Sequence, residues 1–261
     1  MRNIKLIIAY EGTAYAGWQI QNSPQSAVYS PQKKTIQEII EKTLQKILQE
    51  KVKVIGSGRT DAGVHALSQV ANFKTHSGLS LKVIQKALNS LLPRDISIKS
   101  LSLVDGNFNS CSLAQSKVYR YSIFNSPFSS VFLDRYAWHI PYTLNVRLMQ
   151  KEAKVLAGSH DFKSFCASGS SAKTTRRTMY KISLKGITNS PQRTRHIVIE
   201  IEADGFLYNM ARTIVGTLVE IGRGRFVKGS LKKILQAKDR RQAGPTAPAK
   251  GLFLAKVRYE R

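Results

Sequence analysis

The 261-residue chain carries 41 Lys and Arg against 16 Asp and Glu, a formal net charge of +25 at pH 7. Hydrophobic residues make up 42% of it, enough for a packed core and too many for a disordered polyelectrolyte. No run approaches the ~18 apolar residues of a membrane span, and the two cysteines, Cys111 and Cys166, lack the C-x-x-C spacing of a zinc site or a disulfide scaffold and fit a reducing cytoplasm.

Taken in chain order, the segment Asn3 to Tyr10 reads as a first β-strand, because its apolar stretch is too short for a secretory signal and no small-residue cleavage site follows. Gln19 to Lys34 has no period and contains Asn22-Ser23-Pro24 and Tyr29-Ser30-Pro31, so it is expected to be a loop. Residues 35–50 predict a helix, with Ile36, Ile39, Ile40, Leu44, Ile47 and Leu48 on one face and Thr35 and Glu38 at capping-box spacing. A second helix is expected over 81–92, closed by Pro93, and further strands over 52–57, 68–75 and 96–104. Beyond residue 104, strands are expected at 117–125, 176–185, 195–203 and 252–259, and helices at 144–157, 206–221 and 230–238. The fold class is therefore α+β, as two halves, residues 1–104 and 105–261, each a sheet with helices on one face. No internal sequence repeat relates the halves.

The basic charge is uneven. Between Asp161 and Glu200 stand Lys163, Lys173, Arg176, Arg177, Lys181, Lys185, Arg193 and Arg195 and no acid, and the stretch from Arg223 to Arg261 is again strongly basic. Such fields attract a phosphate backbone. An anionic membrane would attract them too, but the basic segments lack an amphipathic helix with a bulky apolar face.

The richest chemistry lies in Gly56-Ser57-Gly58-Arg59-Thr60-Asp61-Ala62-Gly63-Val64-His65-Ala66, after the β-type run Val52 to Ile55. Glycines permit sharp turns, and Asp61 is then either a turn residue bonding local N–H groups or a reactive carboxylate placed where a polyanion docks. Tyr119 alternates with Tyr121 and Ile123 on one strand face, which suits a core tyrosine as well as a base-stacking one. Arg212 sits among Ile214, Val215 and Leu218, so it either snorkels to the surface or has a buried partner. His65, inside a turn-to-strand segment, reads as structural.

Nine consecutive residues, Gly58 to Ala66, resemble the G-R-T-D-A-G-V-H-A signature of the tRNA pseudouridine synthase A family. Further motifs follow the same order. They are Tyr10-Glu11-Gly12-Thr13 with Tyr15-Ala16-Gly17-Trp18-Gln19, then Val118 to Tyr121 (the Y-x-Y strand), Asp161 to Phe165, and Phe206 to Gly216. Two positions depart from the pattern. Phe108-Asn109-Ser110-Cys111 stands where F-H-A-R is common, losing a His and a basic side chain, and Ala211 stands where Val is usual.

The resemblance implies two ferredoxin-like halves joined through a mostly antiparallel sheet, with a central cleft between them. It implies isomerisation of uridine to pseudouridine at positions 38, 39 and 40 of the tRNA anticodon arm, by a homodimer that needs neither cofactor nor metal. It makes Asp61 the catalytic residue and paired with Arg212, and it makes Tyr119, Arg59 and Arg212 substrate-binding. Two other classes share part of the pattern. A non-catalytic RNA-binding protein fits the charge but has no use for a carboxylate in a positive site. A metal-dependent nuclease needs clustered carboxylates, and the sequence places none near Asp61.

Overall fold

The structure, a computed structural model, describes residues 1–20, 34–170, 172–188 and 195–259. The expected loop of residues 19–34 and the basic residues Arg193 and Arg261 lie wholly or largely outside the described residues. The chain forms two compact units, one of Met1–Gln115 with Leu254–Arg261, the other of Ser116–Phe253. It is a mixed α+β protein.

In the first unit, β1 (Arg2–Tyr10) alternates buried and part-exposed residues, and it pairs antiparallel with both β3 (His65–Thr75) and β4 (Ile96–Val104). The short β2 (Ile55–Gly56) pairs antiparallel with β3. Ile4, Leu6 and Ile8 of β1 are fully buried, as are Ile36, Ile40 and Leu44 of α1 (Ile36–Leu48) and Ile84 and Leu88 of α2 (Leu81–Leu91). Both helices start as the sequence dictates. Thr35 Oγ1 accepts from the Glu38 N–H at 3.3 Å, and Ser80 Oγ accepts from the Val83 N–H at 3.3 Å. The order β-α-β-β-α-β, with β1 between β3 and β4 and β2 on β3, is that of a ferredoxin-like half.

One element is much shorter than expected. The run 52–57 has full β propensity, yet only Ile55 and Gly56 pair. The Val54 N–H donates to Glu41 Oε1 at 2.9 Å, and its carbonyl accepts from Gln37 Nε2 at 3.1 Å. Side chains of α1 thus occupy the backbone groups that a partner strand would take.

In the second unit, β5 (Ser116–Asn125), β9 (Arg195–Ala203), β8 (Arg176–Thr188) and β7 (Gly158–Asp161) follow one another as antiparallel neighbours, and β6 (Trp138–Ile140) pairs in parallel with β5. Tyr119, Tyr121 and Ile123 of β5 oppose Ile201, Ile199 and Ile197 of β9, and all six are buried. The crossovers are α3 (Val146–Ala153) and α4 (Met210–Gly222), and α5 (Ser230–Ala237) follows. The helix expected over 144–157 is α3 continued by a 3-10 turn, Lys154–Leu156. The one expected over 206–221 begins only at Met210, because Asn209 takes a left-handed φ of 60° that halts any earlier turn. α4 is buried all round, and Arg212 is its one residue that is not.

Candidate active site

Asp61 stands on the tight connection between β2 and β3, and the surrounding side chains fix that connection from several directions. Ser57 is buried at its start. Its N–H donates to the Val70 carbonyl at 2.7 Å, and its hydroxyl donates to Gln69 Oε1 at 2.7 Å. Gln69 Nε2 in turn donates to the Gly58 carbonyl at 2.9 Å. The Ser110 hydroxyl donates to the Ile55 carbonyl at 2.5 Å, the Ser110 N–H to Asn72 Oδ1 at 2.9 Å, and Tyr259 Oη to the Ser110 carbonyl at 2.8 Å. The segment that departs from F-H-A-R therefore clamps the base of the loop through Ser110, while Cys111 is exposed.

The first sequence motif packs directly under the loop. The Trp18 N–H donates to the Thr60 carbonyl at 3.1 Å, and buried Tyr10 and Thr60 share a hydroxyl–hydroxyl bond at 2.8 Å. Burial pushes the Tyr10 phenol well above its usual pKa, which the Thr60 bond only partly opposes. The glycines of this motif have no room for a side chain. A Cβ on Gly12 would lie 2.0 Å from the Val64 carbonyl oxygen, and one on Gly17, whose φ is +89°, would lie 2.4 Å from the Thr60 carbonyl oxygen.

His65, at the far end of the loop, is buried and accepts the Gly12 N–H on Nδ1 at 3.0 Å, with Glu11 Oε1 3.4 Å from the same nitrogen. It ties the end of the loop to the first motif. Between these anchors the Val64 N–H closes a turn onto the Asp61 carbonyl at 3.1 Å, Asp61 is half-buried and Arg59 is exposed.

Tyr119 and Arg212 belong to the second unit. Tyr119 is 7% exposed, and its ring meets Phe206 edge-on, with centroids 4.8 Å apart and planes at 80°. Phe206 belongs to the helix motif, 87 positions from Tyr119, so the sequence alone gives no sign of this pairing. Arg212 Nε donates to the Ala247 carbonyl at 2.7 Å, and Nη1 donates to Asn209 Oδ1 at 2.8 Å. The Ala247 N–H donates back to the Arg212 carbonyl at 3.1 Å.

The segment 244–248 thus runs along α4. The Gly244 N–H donates to Thr217 Oγ1 at 2.9 Å, and a Cβ on Gly216 would lie 1.8 Å from the Pro245 carbonyl oxygen. The same segment receives the Tyr121 phenol on the Pro248 carbonyl at 2.8 Å. Burial pushes that phenol up, with the Arg212 charge pulling the other way, so Arg212 and Tyr121 lie within electrostatic reach. Sequence reading missed this brace because it works through backbone carbonyls. Its only trace is the Gly and Pro punctuation of Gly244-Pro245 and Pro248.

Asp61 and Arg59 therefore share one loop of the first unit, and Tyr119 and Arg212 share the second unit. Among the described residues, no three His, Cys, Asp or Glu side chains group as metal ligands, and no helix is long and apolar enough to cross a membrane.

The sequence matches the tRNA pseudouridine synthase family over residues 6–111 and 153–260, and the chain belongs to that family of isomerases. It is 44% identical over 259 residues to a tRNA pseudouridine synthase A of Thermoanaerobacter sp. (strain X514), covering 99% of this chain and 100% of that protein. The proteins of the same name from Acetivibrio thermocellus and Brevibacillus brevis are 45% and 41% identical over the same 259 residues, again covering 99% of this chain and all of each relative.

Proposed function

We propose that this chain converts uridine to pseudouridine at positions 38, 39 and 40 of the tRNA anticodon arm, acting in the cytoplasm as a homodimer. The observation that carries the reading is the Gly58–Ala66 turn, where hydrogen bonds hold Gly58, Thr60, Val64 and His65 while Asp61 is half-buried on a strongly basic protein. The isomerisation breaks the C1′–N1 bond, turns the base, forms a C5–C1′ bond and moves the C5 proton out as N1 gains one. No electrons are exchanged and no group is donated. Asp61 is the catalytic residue, its carboxylate serving the sugar or the base as nucleophile or charge stabiliser.

Tyr119 holds the flipped uracil with its ring, recovering part of the few kcal/mol that unstacking costs. Arg212 binds substrate from a position that its bonds to Ala247 and Asn209 keep fixed, and exposed Arg59 meets the RNA beside the target nucleotide. The exposed cations Lys163, Lys173, Arg176, Lys181 and Lys185 supply phosphate contacts.

The test is tritium release from tRNA labelled at uridine C5. The wild-type chain is expected to release label, the Asp61→Asn chain to release none, and tRNA carrying cytidine at 38, 39 and 40 to yield none with either. Release that persists on the cytidine-substituted tRNA would overturn the positional assignment.

A further inference from the structure

We propose that the groove between α3 and β8 is a docking surface for backbone phosphates of the tRNA substrate, separate from the residues assigned to the uridine. The groove has a volume of about 500 Å³. One wall carries Arg147, Lys151 and Lys154, and the other is Ile182, Ser183 and Leu184 of β8. The three cations stand four and three residues apart, so they stack along one side of α3 and its 3-10 extension. All three are exposed.

None of them has an ion-pair partner among the described residues, in a protein where Arg120, Lys238, Arg241 and Lys250 are each paired with an acid. No acid lines the groove. The one acid of α3, Glu152, is buried and committed elsewhere, accepting the Gly229 N–H on Oε1 at 2.9 Å and the Leu231 N–H on Oε2 at 3.4 Å. Gln150 Nε2 donates to the Leu184 carbonyl at 2.9 Å and so ties the helix to the strand across the groove. Exposed Lys181 and Lys185 flank the β8 wall on either side.

Like charges three and four residues apart along a helix repel one another. Three cations left uncompensated along one groove are therefore a standing cost that a polyanion relieves. A sugar–phosphate strand presents charges in a line, as the helix does. Each phosphate neutralised releases counterions, which gives such a site a measurable salt signature.

The inference rests on the tRNA reading, and the experiment separates the two. The full chain carrying R147Q/K151Q/K154Q is compared with wild type and with a control, K82Q/K86Q/R94Q, that removes the same charge from exposed sites of the first unit. tRNA affinity is measured from about 50 to about 200 mM salt, and label release is measured at saturating tRNA. The groove variant should melt like wild type and turn over at the wild-type rate when saturated. Its log–log salt slope should be shallower by about 2–3, with affinity at least ~10-fold weaker at the lowest salt. The control should lose clearly less.

An unchanged slope, or an equal change in the control, overturns the groove. An unchanged slope with intact activity would leave an acidic protein segment as its occupant. Failure of the wild-type chain to release label would instead overturn the tRNA reading, whatever the slopes.

Discussion

Gly17 and Thr60 meet backbone to backbone, so closely that a Cβ on Gly17 would lie 2.4 Å from the Thr60 carbonyl oxygen, one residue before Asp61. The φ of +89° at Gly17 adds a conformational cost of ~1–2 kcal/mol for any L side chain. Gly17→Ala must therefore either strain the turn or push Thr60 and Asp61 aside. We expect its turnover to fall by ~10–100-fold, since small displacements of a reacting group have such effects, with tRNA affinity little changed. Gly106→Ala, where a Cβ meets nothing within 4 Å, should match wild type in both and serves as the control.

Arg212 should not tolerate lysine. The ammonium keeps the charge but cannot reproduce both the Nε bond to the Ala247 carbonyl and the Nη1 bond to Asn209. We expect Arg212→Lys to lose ~1–3 kcal/mol of stability and most of its turnover. Asn209→Gly keeps the left-handed backbone while deleting the amide. Combined with Arg212→Lys it should be less destabilised than the sum of the single changes, because both remove the same bond. Strict additivity in urea denaturation would show that the Nη1 contact contributes nothing.

Much of this architecture is legible in the sequence, and the parts that are not have physical reasons. α1 is readable because its apolar period and its Thr35 cap are local features, and the Gly58–Ala66 turn because its composition is so unusual. The late start of β2 is not, because Gln37 and Glu41 bond the preceding Val54 from another element. The late start of α4 depends on a single left-handed residue, Asn209. β6 and β7 span three and four residues, too few to carry a period. Of the candidate site, the side chains proposed to meet the substrate are written in the motifs. Their supports are not, because Tyr10 reaches Thr60 across 50 residues and Arg212 reaches a backbone carbonyl 35 residues away.

Tyr119 offers a separation of ring from hydroxyl. Tyr119→Ala removes a buried ring and its edge contact with Phe206, and should reduce turnover by at least ~100-fold while weakening tRNA binding by no more than the ~1–3 kcal/mol of one stacked base. Tyr119→Phe keeps the stacking surface. If the ring alone matters, the phenylalanine variant will be nearly as active as wild type; if the phenol moves a proton, it will resemble the alanine variant. Full activity in a folded Tyr119→Ala enzyme would remove this residue from the site.

Tyr10 and Tyr121 give the protein an alkaline limit. Burial raises both phenols above the usual value of 10.0. The folded chain therefore keeps these protons where the unfolded chain releases them. Stability from this source is complete below about pH 10 and falls as pH rises beyond it, because the unfolded state then binds fewer protons. Urea midpoints should hold below about pH 10 and drop as pH rises above it. Tyr121→Phe leaves the Pro248 carbonyl without its phenol donor, at ~1–3 kcal/mol near neutral pH, but its alkaline decline should be shallower.

Asp61→Asn gives the most direct test of the catalytic assignment. The two side chains are nearly isosteric, and the hydrogen bonds that hold the loop run through Ser57, Gly58, Thr60 and the Asp61 carbonyl. None of those contacts needs the carboxylate. The loop should therefore keep its fold, with stability reduced by no more than the ~1–3 kcal/mol of a polar contact that the carboxylate itself makes. Removing one negative charge from a chain of net charge +25 should leave tRNA affinity unchanged or slightly tighter. Label release from uridine tRNA should nevertheless be lost, because the amide is a poor nucleophile and cannot stabilise positive charge on the sugar. Tight tRNA binding with no release places the chemistry on Asp61. A variant that still releases label at the wild-type rate moves the catalytic group elsewhere, and one that neither melts cooperatively nor binds tRNA shows that Asp61 is a structural turn residue instead.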